Sequence, residues 1–228
     1  MTIQEIFKLA TANDVISELK SCRFIQQPDV EAANKALNIK LHNINNPVIR
    51  PDKRVQVSSD QEADSAQKVI STDGESTNFK TVKVARVAVA IQKLIIKRAV
   101  SFCFGNKPLY NSTPENEQEK AVAFALERIM HDVKCKSLNR KIGRSIFGYK
   151  ECAEYWYPVE KKHGKYGFPS QYKMRCTIFS PELGDTLYPY FDETGDMVAF
   201  SRSFARNING VATNYFETFT DTEHWLWV

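Results

Sequence analysis

The sequence predicts an α+β fold in which helices come first and an antiparallel sheet closes the chain. Apolar residues recur at helical spacing up to residue 148, the period changes to two from Glu151 onward, and Asn-, Asp- and Gly-containing turns punctuate that second region. The expected segments are an N-terminal helical arm with a polar connector (1–80), a helical segment with two long amphipathic helices (81–150) and a β-rich segment (151–228). At 228 residues, 43 % hydrophobic and 25 % charged, the chain can bury a sizeable core.

In the first segment Ile3, Ile6, Phe7 and Ala10, then Val15, Ile16 and Leu19, recur at helical spacing, and Asn13 or Asp14 can restart the helix after Thr11. Pro28-Asp29 opens a second helical stretch that runs to about Leu37. Asn43 to Gly74, rich in Asn, Ser, Asp and Pro, reads as loop or partly mobile chain. Met1 to Lys20 carries Glu5, Lys8, Asp14 and Glu18, which a secretory signal would not tolerate, so the chain is expected to stay in the cytosol where it is made.

Residues 82–104 are the most hydrophobic stretch and are expected to form one long helix ending at Gly105, with Pro108 beyond it. A membrane span is excluded by charge: each basic residue at a bilayer centre costs roughly 2.5 to 3.5 kcal/mol. Lys83, Arg86, Lys93 and Lys97 would share one face, opposite Val84, Val87, Ala88, Ile91, Leu94 and Ile95, giving a helix buried on one side. The next helix is expected to start at Thr113-Pro114, with Glu115, Glu117 and Glu119 near its positive end. Its stripe of Val122, Leu126, Ile129 and Val133 continues at helical spacing through Leu138, Ile142 and Ile146 to Gly148.

From Glu151 the alternation of Met174, Cys176 and Ile178 with Lys173, Arg175 and Thr177 marks strands. Tyr155, Trp156, Tyr188, Tyr190, Phe200, Tyr215 and Phe216 add strand-favouring aromatics. Asp192-Glu193-Thr194-Gly195 and Asn209-Gly210 read as hairpin turns. His224-Trp225-Leu226-Trp227-Val228 reads as a strand in progress, so a longer parent chain is expected.

The charge is unevenly spread. Residues 81–150 hold 14 basic and 5 acidic side chains, net +9, whereas residues 151–228 hold 7 and 11, net −4. Such a basic segment can face nucleic acid, an acidic neighbouring subunit or water. Its densest constellation is Lys134, Lys136, Arg140, Lys141, Arg144 and Lys150, with Phe147 and Tyr149 beside it. Basic residues interleaved with aromatics can track a phosphate backbone and stack bases; the same pattern also suits a subunit contact or a solvated helix face.

Catalytic and cofactor motifs are missing. Gly164-Lys165 lacks the upstream glycine and the Ser or Thr of a phosphate loop. His42, His131, His163 and His224 show no metal-ligand spacing, and no GxSxG elbow is present. Cys22, Cys103, Cys135, Cys152 and Cys176 are scattered, without a CxxC pair, and read as reduced and mostly buried. No enzyme activity, cofactor or metal is expected.

A run of segments in order carries a family resemblance. Phe104-Gly105-Asn106-Lys107-Pro108 resembles the glycine-proline helix ending of portal proteins from tailed bacteriophages of the long non-contractile type. Asn139 with Ile142-Gly143-Arg144-Ser145-Ile146-Phe147-Gly148-Tyr149 is similar to the helix that leads into the family's first strand, here Glu154-Tyr155-Trp156-Tyr157. Phe179-Ser180-Pro181-Glu182, Leu187-Tyr188-Pro189-Tyr190-Phe191-Asp192 and Val198-Ala199-Phe200-Ser201-Arg202 follow the family's order, as does Val211 to Trp225 with Tyr215-Phe216-Glu217-Thr218-Phe219-Thr220. The likeness covers about residues 80–228. It departs from the pattern by two extra residues between Gly105 and Pro108, and residues 1–80 align with nothing.

The resemblance implies the N-terminal half of a portal protein, with this chain as its peripheral wing and the stem, clip and tunnel loop after Val228. It implies a homo-oligomeric ring, a dodecamer at full length, at one capsid vertex, through which double-stranded DNA is packaged and ejected. The implied partners are terminase, capsid and head-completion proteins, without a membrane, in the virion and in the host cytoplasm during assembly. The rival reading is a stand-alone basic nucleic-acid-binding protein using Lys134 to Lys150 as its footprint. Purified protein is expected to show no ATP turnover and no stoichiometric metal, which an ATPase assay and elemental analysis check directly.

Overall fold

The computed structural model describes residues 2–22, 26–57, 67–70, 76–106, 108 and 112–228. In chain order its elements begin with α1 (Ile3–Ile6), α2 (Ala12–Ser21), α3 (Val30–Leu37), β1 (Lys53–Val57), β2 (Gln67–Ile70) and β3 (Ser76–Val82). Next come α4 (Ile91–Phe104), α5 (Glu117–Asp132), α6 (Cys135–Tyr149), β4 (Ala153–His163) and β5 (Ser170–Phe179). The chain then runs through β6 (Thr186–Phe191), β7 (Met197–Ile208), β8 (Val211–Thr220) and β9 (His224–Trp227). The fold is mixed α+β with antiparallel sheets, as the sequence predicts. It divides into two compact units: Met1–Val30 with Ile95–Val228, and Glu31–Leu94.

In the larger unit α1 and α2 form where the apolar spacing places them, each started by a threonine. Thr2 and Glu5 make a reciprocal cap, and the Thr11 hydroxyl accepts from the Asp14 N–H at 3.2 Å. Both helices lie on the four-stranded sheet β6-β7-β8-β9 and bury Ile6, Val15 and Leu19 against Tyr188 and Phe216. Phe7 stacks on Trp225 and Trp227 at 5.7 and 6.4 Å. Residues opposite one another in an antiparallel pair share a face, so the register that aligns Ser203 with Phe216 and Phe216 with Trp227 puts this row under the helices.

The opposite face of the same sheet packs on the β4-β5 hairpin. Phe200 and Phe219 are register partners, and Phe179 stacks on both while Tyr155 packs on Phe219 at 4.6 Å. Covered on both sides, β8 buries consecutive residues Phe216, Glu217 and Thr218, which a half-buried strand would not. Both expected turns form: Asn209 and Gly210 take φ of 52° and 85°, the left-handed pair that a tight hairpin demands. Asp192 closes the other, its Oδ1 accepting from the N–H groups of Thr194 and Asp196 at 2.9 Å each.

Among the aromatics of this second face sits a buried charge cluster. Arg202 donates to Glu217 at 2.6 Å and to Asp185 at 3.1 Å, and its guanidinium lies 3.8 Å from the Phe179 ring centroid and 4.2 Å from that of Phe204. Asp185 also accepts from the Ser180 N–H at 3.0 Å, and Glu217 contacts His224 Nε2 at 2.8 Å. The Arg202, Asp185 and Glu217 side chains are 13, 7 and 12 % exposed. One cation thereby ties β7, β8, β9 and the β5–β6 connection.

Several sequence expectations are corrected. The helix expected over 82–104 starts only at Ile91; Val82 ends β3, and 83–90 has no regular secondary structure. Val82, Val84, Val87 and Val89 are β-branched and lose side-chain freedom in a helix. Asp52 accepts from the Val84 N–H at 3.1 Å and from Arg86 at 2.8 Å, while Arg86 also donates to the Arg50 carbonyl. Lys83 and Arg86 are therefore not on the helix, and α4 buries only Val100, with Ile91, Leu94 and Ile95 exposed.

The loop expected over Asn43 to Gly74 instead contains β1 and β2, which flank β3 in a three-stranded antiparallel sheet. Residues 58–66 and 71–74 of that expected loop lie outside the described residues, as does Lys107 of the expected helix ending. The single helix expected from Pro114 to Gly148 is two. It starts at Asn116, whose side chain accepts from the Glu119 N–H at 2.8 Å, and it breaks at Lys134, where φ is 53°. The five cysteines are free but none is fully buried, and Cys103 is exposed.

Arg202→Leu leaves Glu217 and Asp185 buried without their cation, a loss that typically costs about 3 to 5 kcal/mol. Thermal unfolding of this variant is expected roughly 10 °C or more below wild type. Far-ultraviolet circular dichroism through the melt checks it.

Candidate functional site

The cationic constellation falls on α6 and its two ends. Lys136, Arg140 and Arg144 are spaced four apart and form one exposed ridge, with Lys141 exposed beside it. Lys134 and Lys150 bracket the helix in the left-handed conformation, φ 53° and 70°, and both are exposed. Arg140 also has a structural partner, since its Nε donates at 3.3 Å to the carbonyl of Phe104 at the end of α4. Among the described residues no carboxylate lies within ion-pair distance of Lys136, Lys141 or Arg144.

The buried side of α6 holds the ridge in place. A Cβ at Gly143 would stand 2.5 Å from the Phe104 ring, so this glycine is what allows α6 to approach α4 closely. Ser145, fully buried, donates to Glu182 at 3.1 Å. Tyr149 is buried at the last helical position.

Beside the ridge lies an open groove of about 1990 Å³ between α5 and α6. Val122, Ala123, Leu126 and Met130 give it an apolar floor, Lys134, Lys136, Arg140 and Arg144 a cationic rim, and Glu119, Glu127 and Asp132 three carboxylates, the last paired with Lys173. Val122 and Leu126, members of the expected helical stripe, are 67 and 43 % exposed. The structure thus brings four of the six cations to one groove; Lys141 and Lys150 are not among its lining residues.

The β4-β5 hairpin also holds α5, through Phe124 and Asp132, which line the groove as well. Gly167 lies against Phe124, where an added Cβ would stand 3.0 Å from the ring. Lys173 pairs with Asp132 at 2.7 Å, with the two side chains 13 and 19 % exposed. Hydrogen bonding and charge from Lys173 hold the Asp132 carboxyl below its ordinary range despite burial.

Burial, with help from Glu154, pushes the Cys152 and Cys176 thiols up to about 11, which keeps them protonated and poorly nucleophilic at neutral pH. Among the described residues no group of three His, Cys, Asp or Glu side chains is placed to hold a metal. No described helix is long and apolar enough to cross a membrane. Sequence reasoning found the cations but not the groove; its only signal was a stripe of apolar residues on α5, which reads equally well as core.

A carboxyl with a depressed folded-state pKa adds stability above its unfolded value and loses it as pH falls through the folded value. Asp132→Asn is accordingly expected to cost roughly 1 to 3 kcal/mol at neutral pH. The gap from wild type should shrink as pH falls below about 4. Urea unfolding of both proteins along a pH series measures this difference.

A comparison with curated proteins found no match. A family model described as "Phage portal protein, SPP1 Gp6-like" matches residues 27–227. The match begins well before residue 80, so α3 and the three-stranded sheet, outside the likeness expected over residues 80–228, fall inside it. Covering nearly the whole chain, it establishes that this chain belongs to the phage portal protein family, SPP1 Gp6-like.

Proposed function

We propose that this chain works as a structural subunit of the portal ring at one vertex of a phage capsid, the site of DNA packaging and ejection. The observation that carries the reading is the family match over residues 27–227. Membership of the portal family implies a ring-forming virion component associated with capsid and DNA, with a structural rather than an enzymatic role. In the finer reading the full-length ring is a dodecamer to which terminase and head-completion proteins attach, and residues 81–228 form its peripheral wing.

The charge pattern supports a subunit contact for Lys134, Lys136, Arg140, Lys141, Arg144 and Lys150. A head-to-tail ring joins two different patches of the same subunit, and a +9 segment beside a −4 segment supplies opposite signs for such patches. A channel wall studded with lysines would retard sliding DNA through phosphate contacts, which favours placing these cations between subunits.

Antibodies against this chain, bound to mildly opened particles of the phage that encodes it, are expected to label one vertex per particle in immunogold electron microscopy. Label spread over many vertices, or none, would sink the portal reading. Tight, salt-sensitive binding of DNA by the purified protein without vertex labelling would favour the nucleic-acid-binding rival.

A further inference from the structure

We propose that the α5–α6 groove is the seat of a neighbouring copy of this chain, which enters it with the acidic turn between β6 and β7, Asp192 to Met197. The inference rests on the portal reading and adds to it which surfaces meet.

The groove has the size and chemistry of a protein-binding surface. At about 1990 Å³ it exceeds the roughly 300 to 1,000 Å³ of small-molecule pockets. Its exposed floor residues, Val122 and Leu126, leave apolar area in water, and Lys136 and Arg144 on the rim have no carboxylate partner among the described residues. A phosphate backbone would suit that rim but would leave the apolar floor of Val122, Leu126 and Met130 uncovered. An acidic segment with an apolar tip satisfies floor and rim together.

The chain carries such a segment. Asp192, Glu193 and Asp196 place three negative charges within five residues with no cation among them, and all three are exposed. Met197, 58 % exposed at the start of β7, adds a flexible apolar side chain suited to an irregular surface. The turn is already rigid: Asp192 Oδ1 accepts from the Thr194 and Asp196 N–H groups and from the Thr194 hydroxyl, so little order remains to be gained on docking. These hydrogen bonds also hold the Asp192 carboxyl below its ordinary range and keep it charged.

The turn does not line the groove of its own chain, although both belong to the same compact unit. Pairing them between copies gives each subunit one groove to offer and one turn to insert, the head-to-tail arrangement that closes into a ring.

Charge reversal with compensation tests it. Lys136→Glu with Arg144→Glu makes the groove rim acidic and spares Arg140, which also holds the end of α4; Glu193→Lys with Asp196→Lys makes the turn basic and spares Asp192. Sedimentation velocity over a concentration series should show each double variant self-associating at least about tenfold more weakly than wild type. The quadruple variant, or an equimolar mixture of the two doubles, should recover toward wild type. A photo-crosslinking amino acid in place of Val122 should map by mass spectrometry to Asp192–Met197 of another copy. Unchanged melting temperatures separate these effects from misfolding.

Association unaffected by either reversal, loss without recovery in the quadruple variant, or crosslinks to another surface would each overturn the groove assignment while vertex labelling keeps the portal reading. Loss of DNA binding in the rim variant with self-association intact would assign the groove to nucleic acid instead and overturn it too. A wild-type chain with no self-association overturns the pairing whatever the labelling shows.

Discussion

The larger unit depends on one buried cation. Arg202 satisfies two carboxylates that come from different parts of the chain, Asp185 before β6 and Glu217 in β8, while its flat face lies on Phe179 and Phe204. A guanidinium suits this task better than an ammonium, because its planar fork donates in several fixed directions and still stacks on rings. Glu217 passes the tie on to His224 in β9, and Asp185 holds the Ser180 backbone where the β4-β5 hairpin gives way to the four-stranded sheet. Arg202, Asp185 and Glu217 are nearly dry, so each requires the others.

That cluster sets what the rest of the unit can do. With the second face of the sheet fastened to the β4-β5 hairpin, the hairpin fastens α5 through Lys173 and Asp132 and through Gly167 against Phe124. Gly143 then lets α6 settle on Phe104, and the cationic ridge is left facing outward with Arg140 bonded to the end of α4. The groove follows from this order of attachment. Phe124 and Asp132 of α5 are committed to the hairpin, while Val122 and Leu126 of its apolar stripe stay exposed.

An open apolar groove beside cations that have no carboxylate partner among the described residues is costly for an isolated protein and sensible for a subunit. Exposed hydrophobic area with a charged rim is what an interface looks like before its partner arrives. A ring-forming family accounts for such surfaces.

Much of the fold was legible from local chemistry. The apolar spacing of Ile3, Ile6, Val15 and Leu19 marks the first helices, although the restart expected at Asn13 or Asp14 falls to Thr11; Asn209-Gly210 and Asp192 to Gly195 turn the hairpins, and the change of period at Glu151 separates helices from strands. These features were readable because each is decided within a few residues by backbone preference or a side-chain cap. The cationic constellation was readable for the same reason, as a run of charges at helical spacing. Only the tertiary structure decided the rest. Val84 looked helical until Asp52, 32 residues away, took its N–H, and nothing near Lys134 announces the break that separates α5 from α6. The ties of Arg202 to Asp185 and Glu217 exist only in the assembled sheet, and Val122 and Leu126, members of a core-like stripe, stay exposed. Burial belongs to pairs of distant segments, and periodicity within one segment reports which face is apolar, never whether a neighbour comes to cover it.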